Sequence, residues 1–85
     1  MIFVMEPPAQ YNFPYKGPVI EHVLPLKDAR AMCRKYGAFA HACSWTKDGK
    51  CYIVLPVGGP VKQLAPYRRH EMAHCNGWPA SHPQF

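Results

Sequence analysis

The chain has 85 residues, enough for one small domain, and its 48% hydrophobic and 18% charged residues exclude intrinsic disorder. The formal net charge is +5, but the lysines and arginines are scattered along the chain, which argues against specific nucleic-acid binding. No stretch approaches the ~20 apolar residues that a membrane-spanning helix requires. A domain of this size buries little apolar surface, so we expect a metal ion or disulfides to stabilise it.

The first half of the chain predicts strands and then a helix, within a single α+β domain that spans residues 1–85. Ile2–Met5 is expected to form a short strand and Val19–Leu24 a longer one, because both are rich in strand-forming apolar residues. Leu26–Tyr36 carries apolar residues at helical spacing, and Gly37 offers a C-terminal stop. This segment is therefore predicted as the first helix, with its apolar stripe in the core.

The second half predicts a hairpin followed by a second helix. Phe39–Trp45 and Cys51–Leu55 flank the segment Lys47–Lys50, whose Asp-Gly pair is a strong turn signal. Pro66–Asn76 follows a loop rich in proline and glycine. Proline favours the first turn of a helix, and Gly77 favours its end. The predicted architecture is a short sheet with a β-hairpin and two helices packed on it.

Four cysteines allow three pairings: Cys33, Cys43, Cys51 and Cys75. No two of these cysteines have the C-x-x-C spacing, which argues against a structural zinc site of four cysteines. We expect two disulfides. Cys43 with Cys51 would close the hairpin. Cys33 with Cys75 would tie the two helices together. The alternative is that the cysteines are reduced and buried as small hydrophobic residues. Paired cysteines would favour an exported protein, periplasmic or secreted.

The second predicted helix contains the sequence His70-Glu71-Met72-Ala73-His74, an H-E-x-x-H motif. Histidines four residues apart stand one turn apart on the same helix face, so both imidazoles can reach one Zn²⁺. Glu71 can then act as general base on a water molecule at the metal. The motif should arise by accident in roughly one shuffled chain per hundred. The alternative is a surface helix that carries two unrelated histidines.

A catalytic zinc site has three protein ligands and an open position, so a third ligand is needed. The candidates follow the motif: Cys75, Asn76, Ser81, His82 and Gln84. His82 is favoured, because the turn at Gly77-Trp78-Pro79 can fold the chain back toward the helix. Cys75 lies about 100° around the helix from His74 and is expected to face the core. The alternatives are a frayed terminus, or an unrelated tail, since Ser81–Phe85 resembles part of a streptavidin-binding peptide tag.

The H-E-x-x-H helix followed by Gly77 resembles the zincin metallopeptidases. The longer string Arg69–Pro79, with His82, resembles small bacterial and phage proteins that share an R-H-E-x-x-H-C-N-G-W-P signature. The resemblance implies a minimal zincin-like domain with Zn²⁺ as its cofactor. The implied ligands are three histidines, His70, His74 and His82. Glu71 would be the catalytic base.

Zincins also bind extended substrate along the edge strand of their sheet. By resemblance, this role would fall to Cys51–Leu55, with Tyr52, Ile53 and Val54 lying against the substrate. The metzincin subgroup has a histidine where this chain has Ala80 and a methionine further on that is absent here. The resemblance is therefore to zincins in general and not to metzincins.

These observations predict a zinc-dependent metallopeptidase, a hydrolase acting on a peptide or protein substrate. One alternative is a non-catalytic, zinc-stabilised binding or interaction module. Another is a zinc hydrolase of non-peptide amide bonds. Tyr52, Tyr67 and His41 are candidates for an additional oxyanion donor, and the tyrosines are otherwise expected to be packing residues.

Overall fold

The computed structural model describes residues 4–58 and 61–84 and confirms a small α+β domain. Its elements are β1 (Val19–Pro25), α1 (Leu26–Lys35), β2 (Cys43–Lys47), β3 (Lys50–Val57) and α2 (Ala65–Cys75). A three-residue 3-10 helix, Ala9–Tyr11, precedes them. Apart from the predicted N-terminal strand, the order of strand, helix, hairpin and helix is the predicted one. None of the described helices is long and apolar enough to cross a membrane.

Two predicted strands differ from the observed ones. Half of Ile2–Met5 lies outside the described residues, and its described half, Val4 and Met5, is not in a strand. The first hairpin strand was expected at Phe39–Trp45 but begins at Cys43. The Asp-Gly turn is confirmed, since Asp48 and Gly49 both have positive φ, 54° and 75°, as a two-residue type I′ turn requires.

The sheet order is β1-β3-β2, so β3 is its central strand. β3 runs parallel to β1 and antiparallel to β2, and its backbone is therefore paired on both sides. The expectation that Cys51–Leu55 is an edge strand is wrong. Its backbone at Tyr52, Ile53 and Val54 is not free to pair with a substrate, because β1 occupies that side of the strand.

The two helices pack on opposite faces of the sheet. Alternate residues of a strand point to opposite faces, and β3 follows this rule. Ile53 and Leu55 pack with Tyr67 of α2 in one apolar cluster. Val54 packs with the buried residues of α1 in another cluster. Ile53, Val54 and Leu55 are all fully buried, and each contributes roughly 1.5–3 kcal/mol to the hydrophobic stabilisation.

Two disulfides are present, but with pairings other than those predicted. Cys33 is bonded to Cys43, and Cys51 is bonded to Cys75. The reason lies in the two faces of the sheet. Cys43 pairs across the ladder with Val54 and shares its face, the one covered by α1. Cys51 points to the α2 face. Each disulfide therefore ties one helix to the face it covers, whereas the predicted pairings would have had to cross the sheet.

Candidate metal centre

α2 carries the two histidines of the motif, and its ends explain why it forms where it does. Pro66 lies in the first turn of the helix. The N–H groups of this turn have no carbonyl partner within the helix, so a proline, which lacks the N–H, costs no helical hydrogen bond there. At the other end, Gly77 has a φ of 104°. Its N–H donates to the carbonyl of His74, and the Trp78 N–H donates to the carbonyl of Ala73 at 3.0 Å. These two bonds form a Schellman motif, which ends the helix and turns the chain back along it.

Three histidine nitrogens converge at the C-terminal half of α2. The Nε2 atoms of His70 and His74 are 3.2 Å apart, and each is 3.1 Å from Nε2 of His82. Three nitrogens bound tetrahedrally to zinc at 2.0–2.1 Å would lie about 3.3 Å apart. All three histidines are half-buried, and the group could hold a metal ion. The structure thus brings together the three residues that the sequence predicts as ligands.

The opposite ring nitrogens orient two of these imidazoles. Nδ1 of His70 lies 2.7 Å from the carbonyl oxygen of Met5, and Nδ1 of His74 lies 2.8 Å from that of Trp78. A carbonyl oxygen can only accept, so each Nδ1 carries the proton and each neutral ring presents a lone pair at Nε2. Burial lowers the pKa of His70 and of His82, which favours neutral rings at pH 7. Facing lone pairs at this distance repel, and a shared cation relieves the repulsion.

Trp78 organises the whole histidine cluster, and sequence reasoning assigned it only to a turn. Its side chain is 2% exposed. Its ring stacks on His74 with 4.8 Å between centroids, and it meets His70 and His82 edge-on at 5.0 Å. Its indole N–H donates to the carbonyl of Pro83 at 3.0 Å and so fixes the tail next to His82. A large aromatic residue directly after a helix-ending glycine was the available signal, because this position commonly packs back on the helix.

His82 reaches the cluster through an unfavourable backbone conformation. Its φ is 58°, in the left-handed region that costs a non-glycine residue roughly 1–2 kcal/mol. Its N–H donates to the carbonyl of Pro79 at 2.9 Å, which closes a tight turn. Backbone strain of this kind persists where the surroundings impose it and is common at functional sites.

Glu71 lies on α2 and is the one buried charged residue among those described, with 6% exposure. Its Oε1 accepts a hydrogen bond of 2.9 Å from the Ser44 hydroxyl of β2. Burial raises the pKa of Glu71 to about 7, and the bond from Ser44 acts in the opposite direction. Sequence reasoning missed Ser44, because only the packing of α2 on the sheet brings it to the motif.

A cavity of about 290 Å³ opens beside the cluster. It is lined by His70, Glu71 and His82, and also by His41 and Tyr67. Two of the three candidate oxyanion donors therefore share this space with the motif. The third, Tyr52, stacks on Trp45 with 5.5 Å between ring centroids, on the sheet face that α1 covers. Tyr52 is thus a packing residue, and assigning it to substrate binding is wrong on this ground as well.

Comparison with protein-family models, with curated proteins and with solved structures finds no match to this chain. The residues of the site combine three imidazole nitrogens that could hold a metal ion with a buried carboxylic acid that lines the same cavity as two of them. Such a set can bind a metal ion and move a proton beside it.

Proposed function

We propose that this chain is a zinc-dependent metallopeptidase. The observation that carries the proposal is the triangle of three Nε2 atoms together with the buried carboxylic acid of Glu71, which lines the same cavity as His70 and His82. Imidazole nitrogens at near-tetrahedral spacing suit zinc among the common biological metals, whereas magnesium and calcium prefer oxygen ligands.

The number of ligands supports a catalytic site over a structural one. Within residues 4–58 and 61–84, the group that could hold a metal consists of His70, His74 and His82 alone. Structural zinc sites use four protein ligands, and catalytic sites use three and leave a position open. A purely structural site would also have no need of a buried acid beside it, because burying a carboxylate disfavours its ionised form. The non-catalytic module is therefore the weaker hypothesis.

Glu71 is the proton carrier in this mechanism. When bound, zinc acidifies water and polarises a substrate carbonyl. Glu71 accepts a proton from the attacking water and later donates it to the leaving amine. Burial raises its pKa to about 7 in the metal-free chain, and the charge of a bound zinc ion would lower this pKa and favour the carboxylate that accepts the proton. The hydroxyl of Ser44 holds one carboxylate oxygen in place, so the other is available for the transfer.

The sheet edge next to the site belongs to β2. β2 pairs with β3 on one side and is the last strand in the sheet order. Ser44 of β2 contacts Glu71, and the residues just before β2 line the cavity. An extended peptide that paired with β2 would run past the zinc ligands, which is why we favour a peptide or protein substrate. The two disulfides are compatible with an oxidising compartment, and we propose that the protein is exported.

The test is cleavage of a peptide library by zinc-loaded protein, compared with the variant Glu71→Gln at equal zinc content. We expect cleavage by the wild type and its loss in the variant. Glu21→Gln is the matched control, because Glu21 pairs with Arg68 at the surface, and it should cleave like wild type. Zinc binding without cleavage by the wild type would refute the peptidase and leave a binding module or a hydrolase of other amides.

A further inference from the structure

Two arginines of α1 line a second pocket, on the side of the sheet that α1 covers. Arg30 and Arg34 are both exposed and stand one helical turn apart, so their side chains are neighbours on the helix surface. Within residues 4–58 and 61–84, the ion pairs are formed by Arg68 and Arg69, and none involves the two arginines of α1. Like charges at this spacing repel each other, and a bound anion would relieve the repulsion.

The other walls of this pocket hold one of the two guanidinium groups in place. They are formed by Phe39, Ala40 and His41, from the segment 36–42 that joins α1 to β2. The guanidinium carbon of Arg34 lies 5.7 Å from the centroid of the Phe39 ring, in a cation–π contact. A guanidinium supported on an aromatic ring still has N–H groups at its edge, and these donate in parallel to the two oxygens of a planar anion such as a carboxylate. We call this site the arginine pocket.

The arginine pocket adjoins the cavity of the metal centre. Ala40 and His41 line both of them, so the two spaces lie on either side of the same short segment. This segment leads directly into β2, the edge strand that we propose to pair with substrate. A ligand that lies along the start of β2 can therefore reach the metal centre and the arginine pocket together.

The geometry of an added strand indicates which part of a peptide reaches each space. Side chains along β2 alternate between the two sheet faces: Ser44 bonds to Glu71 on the α2 side, and Cys43 and Trp45 pack on the α1 side. A peptide paired with β2 would alternate in the same way. Where one of its residues faces the histidines, the residues next to it in the chain face the side that carries Arg30 and Arg34.

We propose that the arginine pocket binds a carboxylate of the peptide substrate, close to the bond that is cleaved. The proposal rests on the zinc peptidase function and specifies its substrate class, a peptide with an acidic group. The alternation of side chains favours an aspartate or glutamate side chain over the C-terminal carboxylate as the source. Arg30 and Arg34 are substrate-binding residues in this proposal and take no part in the chemical step.

The test measures binding of fluorescein-labelled alanine hexapeptides by fluorescence polarisation. The protein is zinc-loaded Glu71→Gln, which should leave the peptides intact. All peptides have an amidated C-terminus, and one glutamate is moved through the sequence, each peptide having a counterpart with glutamine at that position. We expect glutamate at one position to bind about five- to tenfold more tightly than glutamine, as for a partly exposed, charge-assisted pair.

Two double variants in the same background separate the pocket from net charge. Arg30→Gln with Arg34→Gln should abolish the preference for glutamate. Lys27→Gln with Lys35→Gln is the matched control, because it removes the same charge from exposed positions of the same helix outside the pocket. The control should keep the preference. Equal binding of glutamate and glutamine at every position, or equal loss of the preference in both variants, would overturn the carboxylate site.

Further probes identify the source of the anion. An alanine peptide with a free C-terminus that binds more tightly than its amide, only while both arginines are present, would assign the pocket to the chain end. Phosphatidylserine vesicles that bind the protein through the two arginines, when glutamate peptides show no preference, would overturn the peptide assignment in favour of lipid headgroups. Cleavage is a separate measurement: a glutamate preference without cleavage by the wild type would refute the peptidase and leave an anion site, whereas cleavage without the preference would refute the pocket alone.

Discussion

Each face of the sheet carries one helix, one disulfide that ties this helix to a strand, and one glycine that ends it, yet the two faces differ in chemistry. On the α1 face, Trp45 lies between Tyr36 and Tyr52 in a stack with centroid distances of 4.2 and 5.5 Å. On the α2 face, a tryptophan contacts three histidines, and a buried acid lies beside a cavity.

The two faces share the features that stabilise the domain and differ in the features of the candidate site. The same anchoring elements occur on both faces, so they belong to the scaffold. Three features occur on the α2 face: the strained backbone of His82, the buried Glu71, and the hydroxyl of Tyr67, which has no hydrogen-bond partner among residues 4–58 and 61–84. Each of these is locally unfavourable, and unfavourable groups that cluster on one side of a stable scaffold are typical of a functional site.

The largest expected effect comes from removing the two disulfides separately. Replacing the cysteines by alanine at positions 51 and 75, or at 33 and 43, should each lower the free energy of unfolding by about 3 kcal/mol, more for the longer loop of 24 residues than for that of 10. Urea unfolding of metal-free protein measures this. Loss of Cys51–Cys75 should also weaken zinc binding, because Cys75 follows His74. Equal zinc affinity in both variants would show that the two faces are not distinct.

Replacing each tryptophan by phenylalanine tests the same difference between the two faces and perturbs the fold less than removing a disulfide. Trp78→Phe removes the indole bond to Pro83 and should lower zinc affinity about tenfold, since residues that orient metal ligands typically contribute 10–100-fold. Trp45→Phe should reduce stability and leave zinc affinity unchanged. Competition with a chelator of known affinity measures both. A loss of zinc affinity in Trp45→Phe would mean that the aromatic stack also supports the metal site.

Ser44→Ala tests whether β2 contributes to the chemistry and not only to the sheet. Without the hydroxyl, one oxygen of Glu71 loses its partner, and kcat/KM for a cleaved peptide should fall about tenfold, which is typical of a hydrogen bond to a charged group. Zinc content should not change. Thr46→Ala is the control, since Thr46 lies on the same strand but is exposed. If both variants cleave like wild type, Ser44 has no positioning role.

The smallest effect concerns the N-terminal segment, which crosses the α2 face. Glu6 forms a surface ion pair with Arg69, and the hydrogen bond from Arg69 lowers the pKa of Glu6 below its ordinary value of 4.5. A lowered pKa means that the pair stabilises the folded state above about pH 4.5 and that this contribution is lost as the pH falls further. The difference in unfolding free energy between wild type and Glu6→Gln should therefore shrink below pH 4.5. A difference independent of pH would mean that the pair contributes nothing.

Local signals were sufficient for most of the fold. Gly37, the Asp48-Gly49 turn and Pro66 act on neighbouring residues, and the elements they delimit lie within a few residues of the predicted bounds. The disulfide pairing and the central place of β3 depend on the parallel pairing of β1 with β3, which links residues about thirty positions apart. The sequence held one signal for the central place of β3. Ile53-Val54-Leu55 is an unbroken apolar run, typical of a strand buried on both faces.

In the candidate site, too, some residues could be placed from the sequence and others could not. The i, i+4 spacing in one helix predicts that His70 and His74 lie together, and proximity in the chain favours His82. Ser44 reaches Glu71, and His41 reaches the cavity, through the packing of separate elements, which spacing within the chain does not encode. Tyr67 and His41 were named for their chemistry alone, and the structure adds that they share one cavity.

On the proposed function, the bond between Cys51 and Cys75 has a consequence for when the site could become active. Cys75 is the direct neighbour of His74, so this disulfide adds a covalent link between β3 and the end of α2 that carries His74. The cytosol keeps thiols reduced, and oxidation follows export. If the protein is exported and binds zinc as proposed, a newly made chain would hold the three histidines less firmly and mature only after leaving the compartment of its synthesis. For a peptidase, this order of events would spare the proteins of the producing cell.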